Sequence, residues 1–318
     1  MWQHTAPSWI PQQWAHTGGQ GVTLFFAISG FLITSLLIRE HSERGGVDLK
    51  KFYIRRALRI FPLYYFVLAI YIVSVRFIEN GTPAGTQFFN NLPYFATYTS
   101  NIFVPLDGRV IFYFSWSLAT EEQFYLIWPV TLLLIGPTSR RGIVFLGLII
   151  CACIADIAVG SGHLKHLPIS ILGGALAAVA LHQPSIFAWA SRVASRVWLP
   201  IPIILLPLTL IYFDYNAGLS FHICACLLVA TCAINEKNVL APALTTRPAV
   251  YLGSISYGLY MYHMLCKSAS IKILSRLDIS VDSLITPLAT LVLSCLIATI
   301  SYRYYESWFL SLKNRFAQ

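Results

Sequence analysis

The chain has 318 residues, 57% of them hydrophobic and only 11% charged, with a mean hydropathy of +0.66. A soluble globular domain carries about 25% charged residues, so the composition excludes one and reads as a polytopic membrane protein. A net charge of +9 in a soluble chain would point to nucleic acid; here the basic residues sit between apolar runs, so no nucleic-acid partner is expected.

The first twenty residues contain no Lys or Arg and do not read as a signal peptide with a basic start. From Gly21 to Ile38 the chain carries no charge at all. Eighteen helical residues cover about 27 Å, close to the hydrocarbon thickness of a bilayer. Arg39, Arg44, Lys50, Lys51, Arg55, Arg56 and Arg59 follow at once, the mark of a helix that leaves the membrane on its cytoplasmic side.

Nine apolar segments are predicted to span: 21–38, 60–78, 112–135, 143–159, 167–182, 199–213, 219–235, 250–266 and 284–302. Strict alternation then places sixteen of the 22 Lys and Arg residues inside; Arg76, Arg109, Lys165, Lys267, Lys272 and Arg276 are the six outside. That bias supports nine spans, because one missed helix would scramble it. The amino terminus then lies outside, and Met1–His4 reads as the end of an earlier, tenth span. The segment 79–110, rich in Pro, Gly, Asn and Thr, is expected to be an external loop acting as a lid or substrate platform. The whole chain, 1–318, is expected to form one membrane domain. Its seven cysteines include no CxxC pair and mostly lie in apolar runs, so they read as packing residues, and no metal site is expected.

Polar groups at membrane depth are costly and therefore candidates for function. Glu121 and Glu122 follow Trp116 and Ser117 at the start of the third span. They lie about 100° apart on a helix, so at most one points straight into a shared site. A carboxylate there could orient a histidine base; a solvated helix start, favoured by the helix dipole, explains it equally well. His4, on the outer side, could take a proton from a sugar hydroxyl or be an ordinary tail histidine. Arg56 and Arg59, beside Arg55, share a helix face. Two guanidiniums there suit a phosphate-bearing cofactor from the cytoplasm, and simple positive-inside anchoring also accounts for them. Ser256, Tyr260 and His263 make a polar stripe in the eighth span. Ser29-Gly30 in the first reads chiefly as a close-packing site.

Taken in order, GVTLFFAISGFLIT, RRALR, SWSLATEEQFYLIWP, SISYGLYMYH and YRYYE resemble acyltransferase family 3, the bacterial integral-membrane O-acyltransferases of glycans. The resemblance runs from about His4 to Glu306. It implies an all-α bundle of ten spans, of which nine are present here, in the bacterial inner membrane. It implies O-acylation, most simply O-acetylation, of a cell-surface glycan, lipopolysaccharide or lipid-linked sugar by acyl-CoA, most often acetyl-CoA. It makes His4 the general base or acyl relay, assigns Arg56 and Arg59 to the donor, and Glu121, with Glu122, to the catalytic carboxylates. Ser29, Trp116, Ser117, Tyr257 and His263 match positions of substrate or structural support. The family's basic residue upstream of the histidine would precede Met1. A transporter or flippase of a polar lipid or glycan is the reading from another class; it should show repeated halves, and none is visible.

Overall fold

The computed structural model describes residues 2–105, 108–137, 139–159, 167–213 and 218–314. Lys165 and Arg315, two of the cations counted above, lie outside the described residues. Every regular element among the described residues is helical, so the protein is all-α, and a helix falls on each of the nine predicted segments. By length and composition, four helical stretches suffice to cross a bilayer: Gln12–Arg44, Leu49–Ile78, Arg141–Val159 and Ile285–Leu312. A fifth arises if Ile169–Leu181 and Pro184–Ala194, bent by 106° at the break between them, count as one span. This is a polytopic membrane protein.

The chain forms two compact units. The first comprises Met1–Gln20, Asp48–Ile78 and Pro242–Gln318. Its centre is the pairing of Ser256–Arg276 with Ile285–Ser301. Thr286, Thr290, Ser294 and Ala298 recur every four residues and are all buried, a narrow stripe of small side chains that lets the two backbones approach closely. The hydroxyls of Thr290 and Ser294 donate to the carbonyls of Thr286 and Thr290, at 2.7 Å each, so no polar group is left stranded on the seam. The predicted eighth span does not run unbroken. Arg247–Ser254 ends at Ile255, and a new helix starts at Ser256. The last long helix passes through a five-residue π turn, Tyr302–Glu306, into Ser307–Asn314.

The second unit comprises Gly21–Val47 and Glu79–Ala241. In it Gln20–Arg44 crosses Ile169–Leu181 at two glycines. A methyl group on Gly30 would lie 1.9 Å from the Ile171 carbonyl oxygen, and one on Gly174 would lie 2.1 Å from that of Ala27. The expected close-packing role of Gly30 is thereby located. The segment 79–110, expected to be a loop, holds the helices Pro83–Ala96 and Ser100–Phe103. Pro83 opens the first behind a Thr82 hydroxyl that accepts the Gly85 N–H at 3.0 Å, a start signal the richness in Pro and Gly obscured. Glu79 and Arg109 close the two ends with an ion pair of 2.7 Å.

Candidate functional site

His4, Arg55, Arg56, Arg59, Tyr257 and His263 belong to the first unit; Ser29, Trp116, Ser117, Glu121 and Glu122 belong to the second.

In the first unit His4 lies in the short helix Trp2–Thr5. The Trp2 indole N–H donates to the Trp14 carbonyl at 3.2 Å, and Gly18 passes so close that a methyl group on it would lie 2.5 Å from the Gln3 nitrogen. The imidazole of His4 stacks on that of His263, with ring centres 5.8 Å apart and planes 27° from parallel. His263 is buried, and its Nδ1 stands 2.5 Å from the Tyr260 carbonyl. Since a carbonyl only accepts, Nδ1 carries the hydrogen and Nε2 keeps its lone pair. Burial brings the His4 imidazole down to about 4, with the Lys267 ammonium adding to the effect. The His4 ring therefore sits where a neutral base is favoured at pH 7.

The three arginines lie on Leu49–Ile78, which Asp48 opens by accepting the Lys51 N–H at 2.9 Å. Arg56 and Arg59 are three residues apart and share a face; the Arg56 guanidinium also lies 6.0 Å from the centre of the Phe52 ring. Just beyond Arg59 the helix contains Pro62, which offers no N–H to the carbonyl four residues back. Two tyrosines grip this stretch from other helices. The Tyr257 hydroxyl donates to the Ile60 carbonyl at 2.8 Å, and that of Tyr305 to the Pro62 carbonyl at 3.1 Å. Tyr257, a motif position from the sequence, thus acts on the backbone next to Arg59. Arg59 also lies within electrostatic reach of Glu306, a buried carboxylate that accepts the Ser301 hydroxyl at 3.1 Å.

In the second unit Leu118, Glu121, Tyr125, Trp128 and Leu132 form one buried stripe of Ser115–Ile135. Glu121 is only 2% exposed. Its carboxylate accepts the Ser29 hydroxyl at 2.5 Å and the Tyr125 hydroxyl as well, and the Ser29 and Tyr125 hydroxyls are themselves in contact. Trp128 donates to Thr34 at 2.8 Å, and Thr34 donates to the Gly30 carbonyl at 2.7 Å. Glu121 and Ser29, separate candidates in the sequence, are thus brought together. Trp116 meets Phe26 edge to face, the buried Ser117 donates to the Phe114 carbonyl at 3.3 Å, and Glu122 is half-buried.

Sequence reasoning missed Tyr125, Thr34 and Lys267 as members of these groups. Two had a signal: Tyr125 follows Glu121, and Lys267 follows His263, by four residues, one helical turn.

Residues 2–303 match the acyltransferase domain family. The chain is 28% identical to the O-acetyltransferase OatA of Staphylococcus aureus, an alignment covering 93% of this chain and 53% of that protein. It is 27% identical to the peptidoglycan O-acetyltransferase OatA of Listeria monocytogenes, over 92% of this chain and 51% of that one. The chain spans about half the length of these curated relatives. No solved structure matches it.

Proposed function

The chain belongs to this acyltransferase family, and from that premise we propose that it is a membrane O-acyltransferase, most simply an O-acetyltransferase, acting in a bacterial inner membrane. The donor is acyl-CoA, whose phosphates are held by Arg56 and Arg59 with Arg55 beside them. Guanidiniums match phosphate oxygens in forked pairs, and the tyrosine grips at Ile60 and Pro62 fix the backbone that carries them. The acceptor is a hydroxyl of a cell-surface glycan, in keeping with the names of the relatives.

The observation that carries this reading is the His4 imidazole, kept neutral and stacked on His263. In the reaction the acceptor O–H gives its proton to His4 while its oxygen attacks the thioester carbonyl. The C–S bond then breaks, and the departing thiolate takes the proton from His4. Atoms and charge balance without a metal.

The test is transfer from labelled acetyl-CoA by full-length protein. His4→Ala is expected to lower the rate by about 10²–10⁴, the usual contribution of a positioned general base, with donor binding intact. An undiminished rate would refute the assignment.

A further inference from the structure

The two units differ sharply in charge. The first holds 13 Lys and Arg residues against four Asp and Glu; the second holds nine of each. Within the first, the cations of Leu49–Ile78 around Arg59 are accounted for by positive-inside anchoring and the proposed donor. Lys267 is not. It follows His263 by one turn of Ser256–Arg276, on the same face, and its charge reaches both His263 and His4. It is half-buried, yet no carboxylate lies within ion-pair distance of it among the described residues. The unit's acidic residues are Asp48, Asp278, Asp282 and Glu306. Asp282 is taken up by the Ser8 N–H and hydroxyl, and Glu306 by Ser301. A half-buried ammonium one turn from a stacked imidazole pair, with no carboxylate against it, is a costly arrangement that an incoming anion relieves.

This anion is distinct from the donor's phosphates. Tyr257, which touches the backbone beside Arg59, and Lys267 are ten residues apart on one helix, about 15 Å along its axis. We propose that Lys267 is the anchor of an acceptor subsite: it binds a carboxylate or phosphate carried by the acceptor glycan and thereby sets the reacting hydroxyl against His4. This rests on the acyltransferase reading and adds to it the class of acceptor, an anionic glycan rather than a neutral one.

Direct binding tests the subsite apart from catalysis. Full-length protein in nanodiscs is titrated with three probes: a neutral N-acetylglucosamine oligomer, a uronic acid oligomer of equal length, and a lipid-linked sugar phosphate. The expected result is tighter binding of an anionic probe by about tenfold, the worth of a charged hydrogen bond. That preference should be lost in Lys267→Gln and largely kept in Lys267→Arg, and the stronger anionic probe names the source as carboxylate or lipid phosphate. Equal binding of all three, or a preference that survives Lys267→Gln, overturns the proposal. Transfer is measured in parallel. Protein that prefers anions through Lys267 but never passes on an acetyl group sinks the acyltransferase reading and leaves the subsite standing. For a chain that does transfer, Lys267→Gln should raise KM for the anionic acceptor and leave KM for acetyl-CoA unchanged.

Discussion

The two units solve different physical problems with the same helical material. In the second, positive and negative charges are equal in number, and the one fully buried carboxylate among the described residues, Glu121, is enclosed by hydroxyls of Ser29 and Tyr125 beside a glycine-to-backbone helix crossing. Ser29 and Glu121 bind each other with Tyr125, and Ser117 binds the Phe114 carbonyl. The first unit carries the whole net charge of the chain, and its arginines, lysine and stacked imidazoles have few acidic partners. A region whose charges balance and whose buried carboxylate is enclosed by hydroxyls is built to hold shape. One whose cations outnumber its anions threefold is built to receive something negative.

The strongest way to break this contrast is to attack the shape-holding unit. Gly30→Val or Gly174→Val would force a side chain into a carbonyl oxygen that already stands where the first methyl must go. Helix backbones cannot yield as a flexible side chain can, so both variants are expected to fail to accumulate as folded protein, measured by monodisperse yield after extraction. Gly21→Val, where a methyl group meets nothing within 4 Å, should leave the yield unchanged. Normal yields from both crossing variants would show that the second unit does not depend on this contact.

Next in size is the donor end of the first unit. Arg56→Gln with Arg59→Gln is expected to weaken coenzyme A binding by about a hundredfold, on the scale of two charged hydrogen bonds. Binding of an S-acetyl pantetheine, which lacks the phosphates, should not change. Tyr257→Phe should do the same more weakly, because it loosens only the backbone beside Arg59. If the double variant binds coenzyme A normally, these cations are membrane anchors and no more.

The contrast was only partly legible in the sequence. Apolar runs and the seven cations after Ile38 were enough to predict the helices and their class, because hydropathy and charge act locally. The Gly30 contact could be anticipated as packing, but its partner Gly174 lies 144 residues away, and nothing local pairs them. Glu121 stood out as a carboxylate at membrane depth. That Ser29 and Tyr125 enclose it depends on a helix crossing the pattern does not encode. Within the segment 79–110 the helix start was not legible from its richness in Pro and Gly, because Pro83 opens a helix only behind its Thr82 cap. The spacing of Lys267 from His263 was legible, but that His263 stacks on His4 was not, because 259 residues separate the two rings.

A smaller effect separates catalytic from architectural carboxylates. Glu121→Ala leaves the hydroxyls of Ser29 and Tyr125 without their shared acceptor, which costs about 1–3 kcal/mol for buried polar groups. Thermal unfolding should fall accordingly, while KM for the donor stays constant in the protein that remains folded. A melting temperature equal to that of the parent, with transfer abolished, would move Glu121 from the framework to the chemistry.

The finest distinction lies within the basic unit, in the pH profile of transfer. An ordinary histidine titrates near 6.5, whereas His4 is brought down to about 4. The group is a base, so lowering its value keeps it neutral and proton-accepting to lower pH. Activity per folded molecule should stay flat from pH 7 to 5.5, where an unshifted imidazole would lose roughly tenfold, and should decline only on approach to pH 4. The causes acting on the ring respond to different changes. Burial is the largest and does not depend on charge; the contribution of Lys267 ranks well below it and does. Lys267→Gln should therefore move the acid limb upward only slightly and leave it well below 6.5. A limb returning to 6.5 in that variant would mean that charge, not burial, keeps His4 neutral, and the ring would then be more open to water than its place against His263 requires.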